Sequence, residues 1–98
     1  MSEIEYKMTV VEVCQCVRLP LEAIVEIVET GIVQPEGSRP AEWVFDKQML
    51  AILKKAHRLQ RDLEIDWNGV ALALGLIDEL EAVRAENARL RQLLLDDF

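Results

Sequence analysis

One histidine, two cysteines and four scattered glycines leave this 98-residue chain short of the groups that most chemistry needs. His57 has no candidate nucleophile and no orienting carboxylate at a recognisable spacing, so neither acyl transfer nor acid–base catalysis has its parts. The glycines form no phosphate-cradling loop. An enzyme is not expected, and neither is a cofactor. Cys14 and Cys16 stand two residues apart, which on a helix points them to different faces and keeps them from bridging. Without a second cysteine pair, a structural zinc site lacks its ligands, so both thiols read as structural. The apolar run at 70–77 is too short to cross a bilayer, and residues 1–7 lack the basic and apolar regions of a signal peptide. A cytoplasmic protein with no membrane partner is expected. Positive charge is also scarce: 11 Lys and Arg against 18 Asp and Glu give a net charge of −7. That balance works against nucleic acid, whose phosphates recruit cations, and favours a basic protein surface as partner.

What is present is a folded composition, 51% apolar with 30% charged residues, enough for one modest core. The chain is organised around residues 76–94. Leu76, Leu80, Val83, Asn87, Leu90 and Leu94 are separated by four, three, four, three and four. That is a coiled-coil seam, with Leu80, Asn87 and Leu94 at a and Leu76, Val83 and Leu90 at d. A lone Asn at an a position lowers stability but fixes register and favours a two-stranded pair. Glu79 and Glu86 fall at g, with Arg84 and Arg91 five residues on at e, a pattern that makes Glu–Arg bridges between parallel chains. A homodimer is expected, although each exposed bridge contributes only ~0.2–1 kcal/mol. The alternative is a long helix folded back on its own domain.

Ahead of the seam, Thr9 and Glu12 form a T-x-x-E capping box flanked by Met8 and Val13, which predicts a short first helix to about residue 17. Arg18 and Leu19 make a tight turn, and Pro20 suits the first position of a second helix running to about Thr30. Leu21, Ile24, Val25 and Val28 read as its buried stripe and Gly31 as its stop. Short helix, turn, helix is the helix-turn-helix plan. Ile32 and Val33, with Trp43, Val44 and Phe45 across a turn-rich loop, predict a small two-stranded wing. Asp46 caps a third helix to about residue 63, with Met49, Ile52, Ala56, Leu59 and Leu63 as its stripe, widened by Leu50 and Leu53. Lys47, Lys54, Arg58 and Arg61 occupy another face of it. Asp66 caps a fourth helix that reaches about residue 96, and its start, residues 70–77, is apolar on every side and predicts burial all round, between its own domain and a second chain. The expected fold is mainly α, with a winged helix-turn-helix head at 1–66 and a long dimerisation helix at 67–98.

A DNA reader carries hydrogen-bond donors on its second helix. Here Glu22, Glu26 and Glu29 make one continuous acidic strip instead, and the wing offers only Arg39. Such a strip suits a basic helix on a partner protein. Asp66 and Trp67 add a charge and an aromatic anchor, with Trp43 a lesser candidate.

Three stretches carry a resemblance. Trp43-Val44-Phe45-Asp46, the run from His57 to Leu74, and the run from Glu86 to Gln92 resemble the CbpM family of chaperone modulators, over nearly the whole chain. The segment Asp66-Trp67-x-Gly69-Val70-Ala71-x-Ala73-Leu74 is the most specific part. The head also resembles, more broadly, the MerR winged-helix family, and departs from it where the second helix turns acidic. The resemblance implies binding to the J-domain of CbpA, a DnaJ-type co-chaperone, and inhibition of its stimulation of the DnaK (Hsp70) ATPase. J-domains carry a basic helix beside a His-Pro-Asp loop, so Glu22, Glu26, Glu29, Asp66 and Trp67 become the expected contact residues. MerR-type regulators pair their long helices antiparallel, whereas the g and e charges here favour a parallel pair. The competing reading is a MerR-like transcriptional regulator that touches DNA.

Overall fold

The computed structural model describes residues 6–96, so the lead-in at 1–5 and residues 97–98, which the sequence reading joins to the long helix, lie outside the described residues. The chain runs β1 (Lys7–Thr9), α1 (Val10–Val17), α2 (Leu21–Glu29), a 3-10 turn (Pro40–Glu42), β2 (Val44–Asp46), α3 (Lys47–Leu63) and α4 (Trp67–Asp96). It is a mainly helical winged head with one projecting helix.

The start of α1 follows the capping box. The Glu12 N–H donates to Thr9 Oγ1 at 3.2 Å, and the Thr9 N–H donates back to Glu12 Oε1 at 2.9 Å. Met8 and Val13, the staple pair around it, are both buried. The helix ends at Arg18, whose left-handed φ of 59° makes the expected tight turn. Pro20 is the N-cap of α2 rather than its first residue: its backbone is extended, and its carbonyl accepts from the N–H groups of Ala23 and Ile24. Along α2 the buried residues are Ile24 and Ile27, while Leu21 is 49% exposed. The stripe turns by one position because the helix packs on α1 through the Ile24–Ile27 edge. Gly31, at φ 84°, then ends the helix as expected.

The wing corrects the sequence reading. β2 pairs antiparallel with β1, with Met8 opposite Phe45, and not with residues 32–33. Val33 is buried in the core without forming a strand, and Glu36↔Val44 is an isolated bridge. Pro35 and Pro40 in the intervening loop lack the N–H that a ladder needs. The lead-in strand instead presents Met8 to Phe45, and both side chains enter the core with Val13, Ile24, Ile27 and Leu53. Trp43 covers Phe45 edge-on, their ring centroids 6.2 Å apart.

Asp46 caps α3 as expected, accepting from the Met49 N–H at 2.8 Å. Its buried residues are Leu53 and Ala56, whereas Leu63 is exposed and Ile52 lies at the edge. Asp66 caps α4, accepting from the Gly69 N–H at 2.8 Å. The 30 residues of α4 span ~45 Å at 1.5 Å per residue. The apolar start of this helix is not buried all round within the chain. Val70 is fully buried, but Leu72 is 66% and Leu76 57% exposed, because the head covers only one side of the helix. From Asp78 to Asp96 every residue is exposed, and the molecule measures 58 Å along its longest axis.

Candidate partner-binding surface

Burying Ile24 and Ile27 turns the opposite side of α2 outward, and with it Glu22, Glu26 and Glu29, all three exposed. Steps of four and three place them in one row about two turns long. Among the described residues no cation comes within ion-pair reach of any of them. The row is an unneutralised acidic strip on solvent. Arg39, in the loop before β2, is engaged locally by Glu42 at 3.3 Å. The basic face of α3 is real: Lys47, Lys54, Arg58 and Arg61 are exposed.

Asp66 and Trp67 occupy different settings from the strip. The Asp66 carboxylate is exposed and spends one oxygen on the α4 cap. Trp67 is half-buried and packs against the core, with its remaining surface in solvent. Trp43 is half-buried as well. His57 is half-buried on α3, and among the described residues no group of three or more His, Cys, Asp or Glu is placed to hold a metal. Burial pushes the Cys14 thiol above its ordinary pKa, partly offset by a hydrogen bond to backbone, while Cys16 is exposed.

Two features depend on tertiary placement. Where α2 ends over α3 and α4 there is a groove of about 310 Å³, lined by Thr30, Ile32, Ile52, Ala71, Leu74, Gly75 and Asp78. Spacing within a helix does not reveal it, because three elements build it; the one local signal was a glycine, Gly75, inside a helix. On α4 the seam residues Leu76, Leu80, Val83, Asn87, Leu90 and Leu94 are all exposed in the single chain. Glu86, one of the g residues, pairs within its own helix with Arg89 at 2.6 Å, which holds the Glu86 carboxyl below its ordinary pKa. No helix among the described residues is long and apolar enough to cross a membrane.

The chain is similar to known proteins over most of its length. Residues 8–92 match the family model described as MerR HTH family regulatory protein. Chaperone modulatory protein CbpM of Pseudomonas entomophila (strain L48) is 47% identical over 81 residues, which is 83% of this chain and 80% of the relative. The protein of the same name from Pseudomonas putida (KT2440) is 46% identical over the same shares. That of Escherichia coli O1:K1 / APEC is 35% identical over 94 residues, 96% of this chain and 93% of the relative. A helix-turn-helix head without cations on its second helix, joined to a long exposed helix and matched over 83–96% of its length by these relatives, places the chain in the CbpM family of chaperone modulatory proteins.

Proposed function

We propose that this chain is a non-enzymatic modulator that binds the J-domain of a CbpA-like, DnaJ-type co-chaperone and keeps it from stimulating its DnaK-type Hsp70. The observation that carries the reading is the exposed, unpaired strip Glu22–Glu26–Glu29 on the helix where a DNA reader keeps its donors. A basic helix docked along that strip replaces like-charge repulsion on the free protein with opposite-charge contacts, which speeds encounter and sets orientation. The same basic helix then becomes unavailable to Hsp70, and inhibition follows by competition. Asp66 and the free surface of Trp67 are the remaining contact residues in this reading.

The head, residues 1–66, carries most of the partner surface, and the helix from residue 67 onward pairs two copies. Leucines and Val83 exposed in a row along α4 support that pairing, since a soluble protein rarely leaves a continuous apolar stripe uncovered. DNA is disfavoured by α2, whose exposed face carries three carboxylates and no cation. Isothermal titration with the isolated J-domain, at low and high salt, tests the proposal. Binding that weakens with salt supports an acidic docking face. Binding indifferent to salt keeps the partner but moves the contact to apolar groups such as Trp67. No binding sinks it.

A further inference from the structure

The groove beside the acidic strip contains a residue that the isolated chain does not explain. Gly75 lies inside α4, where glycine weakens a helix relative to alanine. A Cβ built there meets nothing within 4 Å, so no packing inside the chain requires its absence. What the missing side chain leaves is open space at the mouth of the groove. Ile32, Ile52 and Leu74 give that groove apolar lining, and Thr30 and Asp78 add polar groups to it.

The acidic strip runs into it. Glu22, Glu26 and Thr30 are each four residues apart, so they share one side of α2, and the last of them lines the groove. Asp78, exposed on α4, adds a further carboxylate to the lining. A second copy paired along α4 does not fill this space. In the heptad that puts Leu76 and Leu80 on the seam, Gly75 and Asp78 fall at c and f, on the side turned away from it. The occupant has to be something else, and the surrounding charge selects it.

We propose that this groove is where a partner's basic amphipathic helix seats, one apolar side chain entering over Gly75 while its cations meet Glu22, Glu26 and Asp78. The inference rests on the J-domain reading above and names the place on the chain where the basic helix lies. Its affinity comes from apolar insertion and its orientation from the carboxylates of α2 and α4.

The test is Gly75→Leu, which fills the mouth of the groove from a helical position with free space in front of it. Helical content and melting temperature, followed by circular dichroism, are expected to hold or rise. Two probes are titrated against both proteins: the isolated J-domain, and a 15-residue amphipathic helical peptide with arginines on one face and leucines on the other. The expected result is at least a tenfold loss of affinity for both in the variant, with Gly75→Ala intermediate. Asp78→Arg, at an exposed rim position, is expected to weaken both probes in a salt-dependent manner and serves if Gly75→Leu folds poorly. If the J-domain fails to bind the wild-type chain but the peptide binds and is lost in Gly75→Leu, the groove stands and the J-domain reading falls. Unchanged affinity in Gly75→Leu and Asp78→Arg, or a peptide that does not bind the wild-type chain, overturns the groove.

Discussion

Met8 and Phe45 face each other across the two-stranded sheet, and both side chains run into the same core. The register ties the beginning of the head to the strand that launches α3. Phe45 is fully buried, so Phe45→Ala removes an aromatic ring from the centre of a small core. A loss of ~3–5 kcal/mol is expected, a large share of the ~5–15 kcal/mol that holds a domain of this size together. Urea unfolding followed by circular dichroism measures it. A loss below ~1 kcal/mol would mean that the sheet is not where the core is anchored.

Two caps separate structure from binding. Thr9→Ala opens the reciprocal pair with Glu12 and is expected to cost ~1 kcal/mol without touching partner affinity. Asp66 is the sharper case, since it caps α4 and is also a proposed contact. Asp66→Asn keeps an oxygen for the Gly69 N–H but loses the charge. If Asp66 contributes its charge to the partner, Asn lowers J-domain affinity at unchanged stability. If Asp66 acts only as a cap, Asn leaves both properties alone and Ala lowers the melting temperature.

These caps mark how far the sequence could be read. Thr9, Asp46 and Asp66 act on the backbone three residues ahead, and such local bonds show in spacing. The helix-turn-helix order, the stop at Gly31 and the length of α4 were legible for the same reason. The strand pairing was not. Residues 32–33 and 7–9 are both only two or three residues long, and only the core decides which of them faces Phe45. The same limit applied to the α2 stripe, where periodicity gave the right helix but packing on α1 selected Ile27 over Leu21. The acidic strip was readable because it lies on one helix, whereas the groove at Gly75 needed three.

Charge reversal of the strip tests the proposed interface directly. Glu22→Lys with Glu26→Lys leaves the buried edge of α2 intact and places two cations where a basic helix is to dock. Affinity for the J-domain is expected to fall by at least tenfold at low salt, with the difference narrowing as salt rises. Stability changes little, because the residues are exposed and unpaired in the free chain. Equal affinity in the variant would move the interface off α2.

The two thiols are expected to differ in reactivity. The thiolate is the attacking species, and burial holds Cys14 protonated to higher pH than an ordinary thiol. Cys16 stands in solvent. Iodoacetamide at pH 8, followed by peptide mass spectrometry, is expected to label Cys16 first, with Cys14 catching up only as the pH rises or urea opens the head. Equal labelling at pH 8 would show that the core of the head does not shelter Cys14.

A single cysteine distinguishes the two directions in which the proposed α4 pair can run. In a parallel, in-register dimer each a residue meets its own counterpart, so position 94 of one copy lies beside position 94 of the other. In an antiparallel pair position 94 approaches position 76 of its partner instead, and the two copies of 94 stand ~27 Å apart at 1.5 Å per residue. A disulfide needs Cα atoms within ~7 Å. Leu94→Cys, made with Cys14→Ser and Cys16→Ser, therefore cross-links two copies under mild oxidation only in the parallel arrangement. The bridges expected from Glu79 to Arg84 and from Glu86 to Arg91 require that arrangement, and Glu86 must then leave Arg89 of its own helix. The charge pattern predicts the cross-link. Asn87→Leu in the natural background supplies the companion result: with the one polar a residue gone, sedimentation equilibrium is expected to show species larger than a dimer. A strictly dimeric Asn87→Leu together with no cross-link at 94 would replace this register with an antiparallel one.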